Sequence, residues 1–264
     1  MRNTILTLAA VLVFVAIGMR ILANRERVSA AAAIPSDPVP ILVELFTSEG
    51  CSSCPPADNL LQKFDAQPIA GVRLIVLSEH VDYWNHIGWT DPYSAHVYSE
   101  RQSAYGRRFH LESVYTPQMV VDGTAEFVGG SSRDAEHAFE RAGKTKASLQ
   151  LSQLRLQDGL LHGRIDSTAL PVGAHKADVV IVIALKHAES QVAKGENAGH
   201  RLSHVAVVRT LQRVGIVEAG KTFSGDISIP VDRTLDPKSL RVIAFLQENG
   251  PGRVWGATEL SLVP

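Results

Sequence analysis

The chain has 264 residues, of which 45% are hydrophobic and 20% charged, with a formal net charge of −1 at pH 7. No basic block or stripe is present, which argues against a nucleic-acid partner. Two cysteines are too few for a disulfide-built scaffold, whereas the apolar content is enough for one large core or two modest ones.

In chain order, residues 1–33 read first as a secretory signal peptide. Arg2 precedes an apolar run from Ile5 to Met19, and Ser29 to Ala33 offers small-residue cleavage sites. The run is short for a bilayer crossing, but a snorkelling Arg20 makes an uncleaved signal anchor, and so a membrane tether, the alternative. Either reading places the body in a periplasmic or extracellular compartment, where a disulfide persists. Cleavage after Ala33 removes four arginines and Glu26, leaving a mildly acidic protein of about −4.

Residues 38–144 alternate apolar runs with helix-like stretches. Ile41 to Phe46 (ILVELF) has the continuous apolar character of a buried parallel strand. Cys51 and Cys54 follow, and then Pro55 and Pro56, which fit only a loop or the first turn of a helix. Leu60, Leu61 and Phe64 recur at helical spacing, so the cysteines fall at a strand-to-helix junction. Val72 to Ser78 predicts the next strand, and an aromatic-rich loop with Tyr83, Trp84, Trp89 and Tyr93 leads into a helix over 93–107. Thr116-Pro117 precedes a strand, an Asp122-Gly123 turn and a further strand. Ser131 and Ser132 cap a helix whose Ala135, Ala138, Phe139 and Ala142 share a face. The order is βαβαββα.

That order, with C-x-x-C after the first strand and Thr116-Pro117 before the third, resembles the thioredoxin fold. The stretches ELFTSEGCSSCPPAD and GENAGHRLSHVAVVR further resemble a bacterial secreted family of unknown function with an N-terminal thioredoxin-like domain. The resemblance implies a cis Pro117 and a Thr116 backbone exposed for an extended substrate, with Glu44 as a buried acid under the cysteines. Gly50 stands where the thioredoxin family has tryptophan.

A cysteine is a nucleophile only as thiolate, which the N–H groups and dipole of a helix N-terminus favour. With two residues between them, Cys54 can resolve a mixed disulfide on Cys51. Glu44 is then the candidate to accept and return the resolving proton, while Glu49 opposes thiolate formation. The expected catalytic residues are therefore Cys51, Cys54 and Glu44, with Thr116 and Pro117 binding substrate. Protein or small-molecule thiols are the partners, and neither an organic cofactor nor a metal is required. Two alternatives remain open: a binding or scaffold protein with a structural disulfide, and a metallochaperone using both thiolates, since His80, His86, His96 and His110 lie between the pair and Pro117.

Residues 147–264 read as strands throughout, around an Asp158-Gly159 turn and further Gly, Pro and Asp-rich turns, and predict a β-sandwich-like domain. The expected fold class is thus an α/β thioredoxin-like domain followed by an all-β sandwich-like domain. Between two of these strands sits a polar segment with Glu196, Asn197, His200, Arg201, His204 and Arg209. It reads either as a solvated turn or as a site facing the cysteines.

Overall fold

The computed structural model describes residues 38–262; the leader expected at 1–33 lies outside them. The elements are β1 (Val39–Thr47), α1 (Pro55–Ala66), β2 (Val72–His80), α2 (His96–Arg108), β3 (Gln118–Val121), β4 (Ala125–Val128) and α3 (Ser132–Arg141), then β5 (Leu149–Gln157), β6 (Leu160–Ser167), β7 (Lys176–Gln191), β8 (Arg201–Glu218), β9 (Phe223–Pro230), β10 (Leu240–Gln247) and β11 (Val254–Ser261). The first seven follow the βαβαββα order read from local pattern. Asp122 and Gly123 both take left-handed φ between β3 and β4, as a tight hairpin turn requires. Ser131 Oγ accepts from the Asp134 N–H and caps α3.

The expected pair of domains is not what the chain builds. Instead of an α/β thioredoxin-like domain followed by an all-β sandwich-like domain, strands from 38–144 and 147–264 join in one mixed eight-stranded sheet, ordered β11-β10-β7-β8-β2-β1-β3-β4. β8 lies parallel to β2, with Val207 opposite Ser78. The physical reason is the edge of β2. Ile75, Val76 and Leu77 are fully buried, and a strand in such surroundings needs partners for its backbone groups on both sides. β1 supplies one side in parallel register and β8 the other. β7 and β8 are long, at 16 and 18 residues, and their ladder shifts register after Val179 and again after Ile183, bulges that bend such a ribbon.

A second, three-stranded sheet, β5-β6-β9, covers one face of the large sheet over β7 and β10, where Leu161, Ile165 and Ile229 meet Ile181, Ile183 and Val242. On that same face, α1 and α3 cover β1 and β3 through Leu61, Ala135 and Phe139 against Val43, Leu45 and Met119. Burying a side chain such as Leu61 contributes about 2 kcal/mol. The opposite face is covered at the β1 end by α2, whose Tyr98 and Tyr105 pack with Leu77, Phe245 and Phe46. No described helix is long and apolar enough to cross a membrane.

Candidate functional site

Cys51 and Cys54 are joined as a disulfide at the end of the loop between β1 and α1. Cys54 is the N-cap residue of α1, and its carbonyl accepts from the Ala57 and Asp58 N–H groups. Pro55 and Pro56 open the helix, where a missing N–H costs nothing. Both cysteines are buried, at 1% and 0% exposure, whereas Ser52 and Ser53 between them are exposed. Ser53 Oγ lies 3.4 Å from Cys51 Sγ.

The aromatic loop packs against the cysteine loop. Trp84 Nε1 donates to Thr116 Oγ1 at 2.8 Å, so its indole links the cysteine loop to the Thr116-Pro117 peptide, which is cis. Gly50 makes this approach possible, because a Cβ there would come within 3.1 Å of Trp84 Cβ.

Glu44 is buried, but it points to the α2 face, where it accepts from Arg101 Nε at 2.7 Å and from the Tyr105 hydroxyl. Glu79 lies beside them with its nearer oxygen 3.5 Å from Arg101 Nε. Burial pushes Glu79 well above the usual carboxylate range; Arg101 opposes this and Glu44 adds to it.

The acids that border the cysteines are instead Glu49 and Asp58, on the α1 face. His204, from β8, is wedged between them: Nε2 is 3.4 Å from Glu49 Oε1 and Nδ1 is 3.4 Å from Asp58 Oδ1. Neither nitrogen makes a hydrogen bond of good geometry, so these contacts are ion pairs. Burial works against the imidazolium, yet Asp58 and Glu49 outweigh it and raise the His204 pKa to about 10. The remaining oxygens are held in place: Trp89 Nε1 donates to Glu49 Oε2 at 2.8 Å and Thr47 Oγ1 to Asp58 Oδ2 at 3.2 Å. His80 packs edge-on against His204, ring centroids 4.6 Å apart, and donates from Nδ1 to Asp91 at 2.7 Å. Burial works to raise Asp91, but His80 and the N–H groups of Glu49 and Tyr93 keep it below its ordinary value.

The polar segment of the second half faces the cysteines. Asn197 Nδ2 donates to the carbonyls of Glu49 and Cys51, at 2.8 and 3.0 Å, and Glu196 Oε2 accepts from the Ser52 N–H at 3.0 Å. Of the four histidines weighed as metal ligands, only His80 belongs to this cluster; His86 and His96 bond to the Tyr83 carbonyl and Asp82 near the surface. Among the described residues, no three or more His, Cys, Asp or Glu side chains are arranged to hold a metal ion. Local reading named His204 only within the polar segment and missed Asp58. The first lies about 150 positions from the cysteines, and the second carried only one signal, its place one helical turn after Cys54.

The family described as "Protein of unknown function (DUF1223)" matches residues 42–247. The crystal structure of protein AGR_C_4864 from Agrobacterium tumefaciens is similar at 30% identity and a TM-score of 0.66, over 85% of this chain and 95% of that one. HBP35 of Porphyromonas gingivalis shares the fold at 15% identity and a TM-score of 0.61, over 86% of this chain and 76% of that one. No curated protein matches the chain.

Proposed function

The chain belongs to the DUF1223 family of proteins of unknown function, and from that premise we propose that it exchanges thiols and disulfides through Cys51 and Cys54 outside the cytoplasm. One observation carries the reading. The pair sits at a helix N-terminus flanked by a buried ionic cluster, Glu49, His204 and Asp58, and buried ionisable groups with shifted pKa values beside a cysteine pair mark a candidate functional site. In the reduced protein, the Cys51 thiolate attacks a substrate disulfide, forms a mixed disulfide and releases one substrate thiolate. Cys54 then gives its proton to Asp58, attacks Cys51 Sγ and releases the second thiolate, so that the substrate is reduced and the pair oxidised. Asp58 takes the proton-accepting part first assigned to Glu44, and the His204 cation offsets its charge.

A second reading, a non-catalytic binding or scaffold protein, is favoured by one specific observation: both sulfurs are buried. Equilibrating the leaderless protein in glutathione buffers and trapping free thiols separates the two. A reversible couple between about −120 and −270 mV, with mixed disulfides trapped on Cys51 in a Cys54→Ser variant, is the expected result. A couple below about −300 mV with no trapping makes the disulfide a structural clip.

A further inference from the structure

An open cleft of about 440 Å³ lies between the start of α1 and the start of β8, walled by Ser52, Pro55, Asp58, Asn197, Arg201 and Ser203 among others. Its size is that of a small-molecule site, roughly 300 to 1,000 Å³, and its wall is polar. It adjoins the disulfide, since Ser52 and Pro55 are the chain neighbours of Cys51 and Cys54.

A carboxylate already meets Ser52, one of the residues of this wall. Glu196 Oε2 sits 3.0 Å from the Ser52 N–H, the amide immediately after Cys51. The Ser52 hydroxyl, and with it this N–H, keeps Glu196 below its ordinary pKa and therefore anionic. His204, 3.4 Å from Asp58 and shared with Glu49, offsets part of the negative charge at the inner end of the cleft. Arg201 pairs with Glu189 at the surface, where the two side chains are 70% and 39% exposed, and such exposed pairs exchange partners at little cost.

We propose that this cleft binds the substrate of the exchange reaction and that the substrate is a small polar thiol carrying carboxylates. Its carboxylate displaces Glu196 from the Ser52 N–H or pairs with Arg201, bringing the sulfur to Cys51. The proposal rests on the exchange reading above. In the direction that reduces the protein, the ligand thiolate attacks Cys51 Sγ, the S–S bond breaks, and Cys54 leaves as a thiolate and is protonated. A second ligand thiolate then attacks the ligand sulfur of the mixed disulfide. Two ligand thiols are oxidised to one disulfide while the Cys51/Cys54 pair gains two electrons and two protons.

The test is the rate at which glutathione, cysteamine and dithiothreitol open the disulfide of the full leaderless protein, each rate normalised to its thiolate concentration. Glutathione carries carboxylates, cysteamine an amine, and dithiothreitol no charge besides its thiols. Glutathione is expected to outpace cysteamine, Arg201→Glu to lower that ratio about tenfold, and Glu196→Ala to raise the glutathione rate. Lys144→Glu, an exposed charge reversal three residues after α3 and outside the cleft wall, reports the effect of net charge alone and is expected to leave the ratio in place. A ratio that Arg201→Glu and Lys144→Glu change equally overturns the substrate proposal while exchange stands. If none of the three thiols opens the pair, the exchange reading itself falls.

Discussion

Two buried ionic clusters lie on opposite faces of the large sheet, and they are built differently. On the α2 face, Arg101 donates to Glu44 and to Gln247 Oε1, and Tyr105 donates to Glu44, while Gln247 Nε2 donates back to the Tyr105 oxygen. On the α1 face, His204 touches Glu49 and Asp58 only through 3.4 Å ion pairs without hydrogen bonds. Each joins residues from both halves of the chain. Hydrogen-bonded charge networks fix one geometry, whereas ion pairs without them hold their groups by charge alone. The Arg101–Glu44–Tyr105–Gln247 network therefore fixes side-chain positions, and the His204 cluster is held by its charges.

The sharpest break in that comparison is Arg101→Met. It strands Glu44 in a site with 0% exposure and is expected to lower stability by about 3 to 5 kcal/mol, read by urea unfolding. An intact midpoint would mean that the network contributes nothing net.

His204→Gln should cost about 3 kcal/mol, at the lower end of that range, since it leaves Glu49 and Asp58 buried without their cation but breaks no good hydrogen bond. It also sharpens the contrast through pH. The folded His204 pKa is raised to about 10, above its unfolded value of about 6.5. Its contribution is fully present below about pH 6.5 and lost as pH rises through about 10. The wild type should lose stability across that window and His204→Gln should lack this loss; parallel pH curves would place the cation elsewhere.

The smallest effect on stability belongs to the disulfide itself. Cys51 and Cys54 are only three positions apart, so removing the cross-link with a Cys51→Ser/Cys54→Ser variant should cost about 2 kcal/mol by loop-closure entropy. A loss well beyond that, measured by the same unfolding, would favour the structural clip over exchange.

Much of this architecture is legible locally and its assembly is not. The Ser131 cap, the Asp122-Gly123 turn and the helix after Pro55 announce themselves within a few residues, because dihedral and capping preferences act at short range. So does the run of strands after Leu149. The seating of β8 against β2 depends on Ser78 and Val207, 129 positions apart, and no periodicity within either strand records it. The site divides in the same way. The cysteines and their helix N-terminus follow from motif and spacing, and the cis Thr116-Pro117 from the thioredoxin resemblance, but which acid neighbours the cysteines depends on Glu44 taking the α2 face of β1 while Asp58 sits on α1. His204 is placed by the long-range pairing alone.

The late position of β8 also sets the order in which the molecule is completed during synthesis. The chain emerges from its N-terminal end, so β1, α1 and both cysteines are made well before Asn197 and His204. Until residues 195–207 follow, the edge of β2 has no partner on that side and the cysteine loop lacks its Asn197 and Glu196 contacts. The first half is therefore made before the contacts that complete its cysteine loop, and those form only when the second half docks.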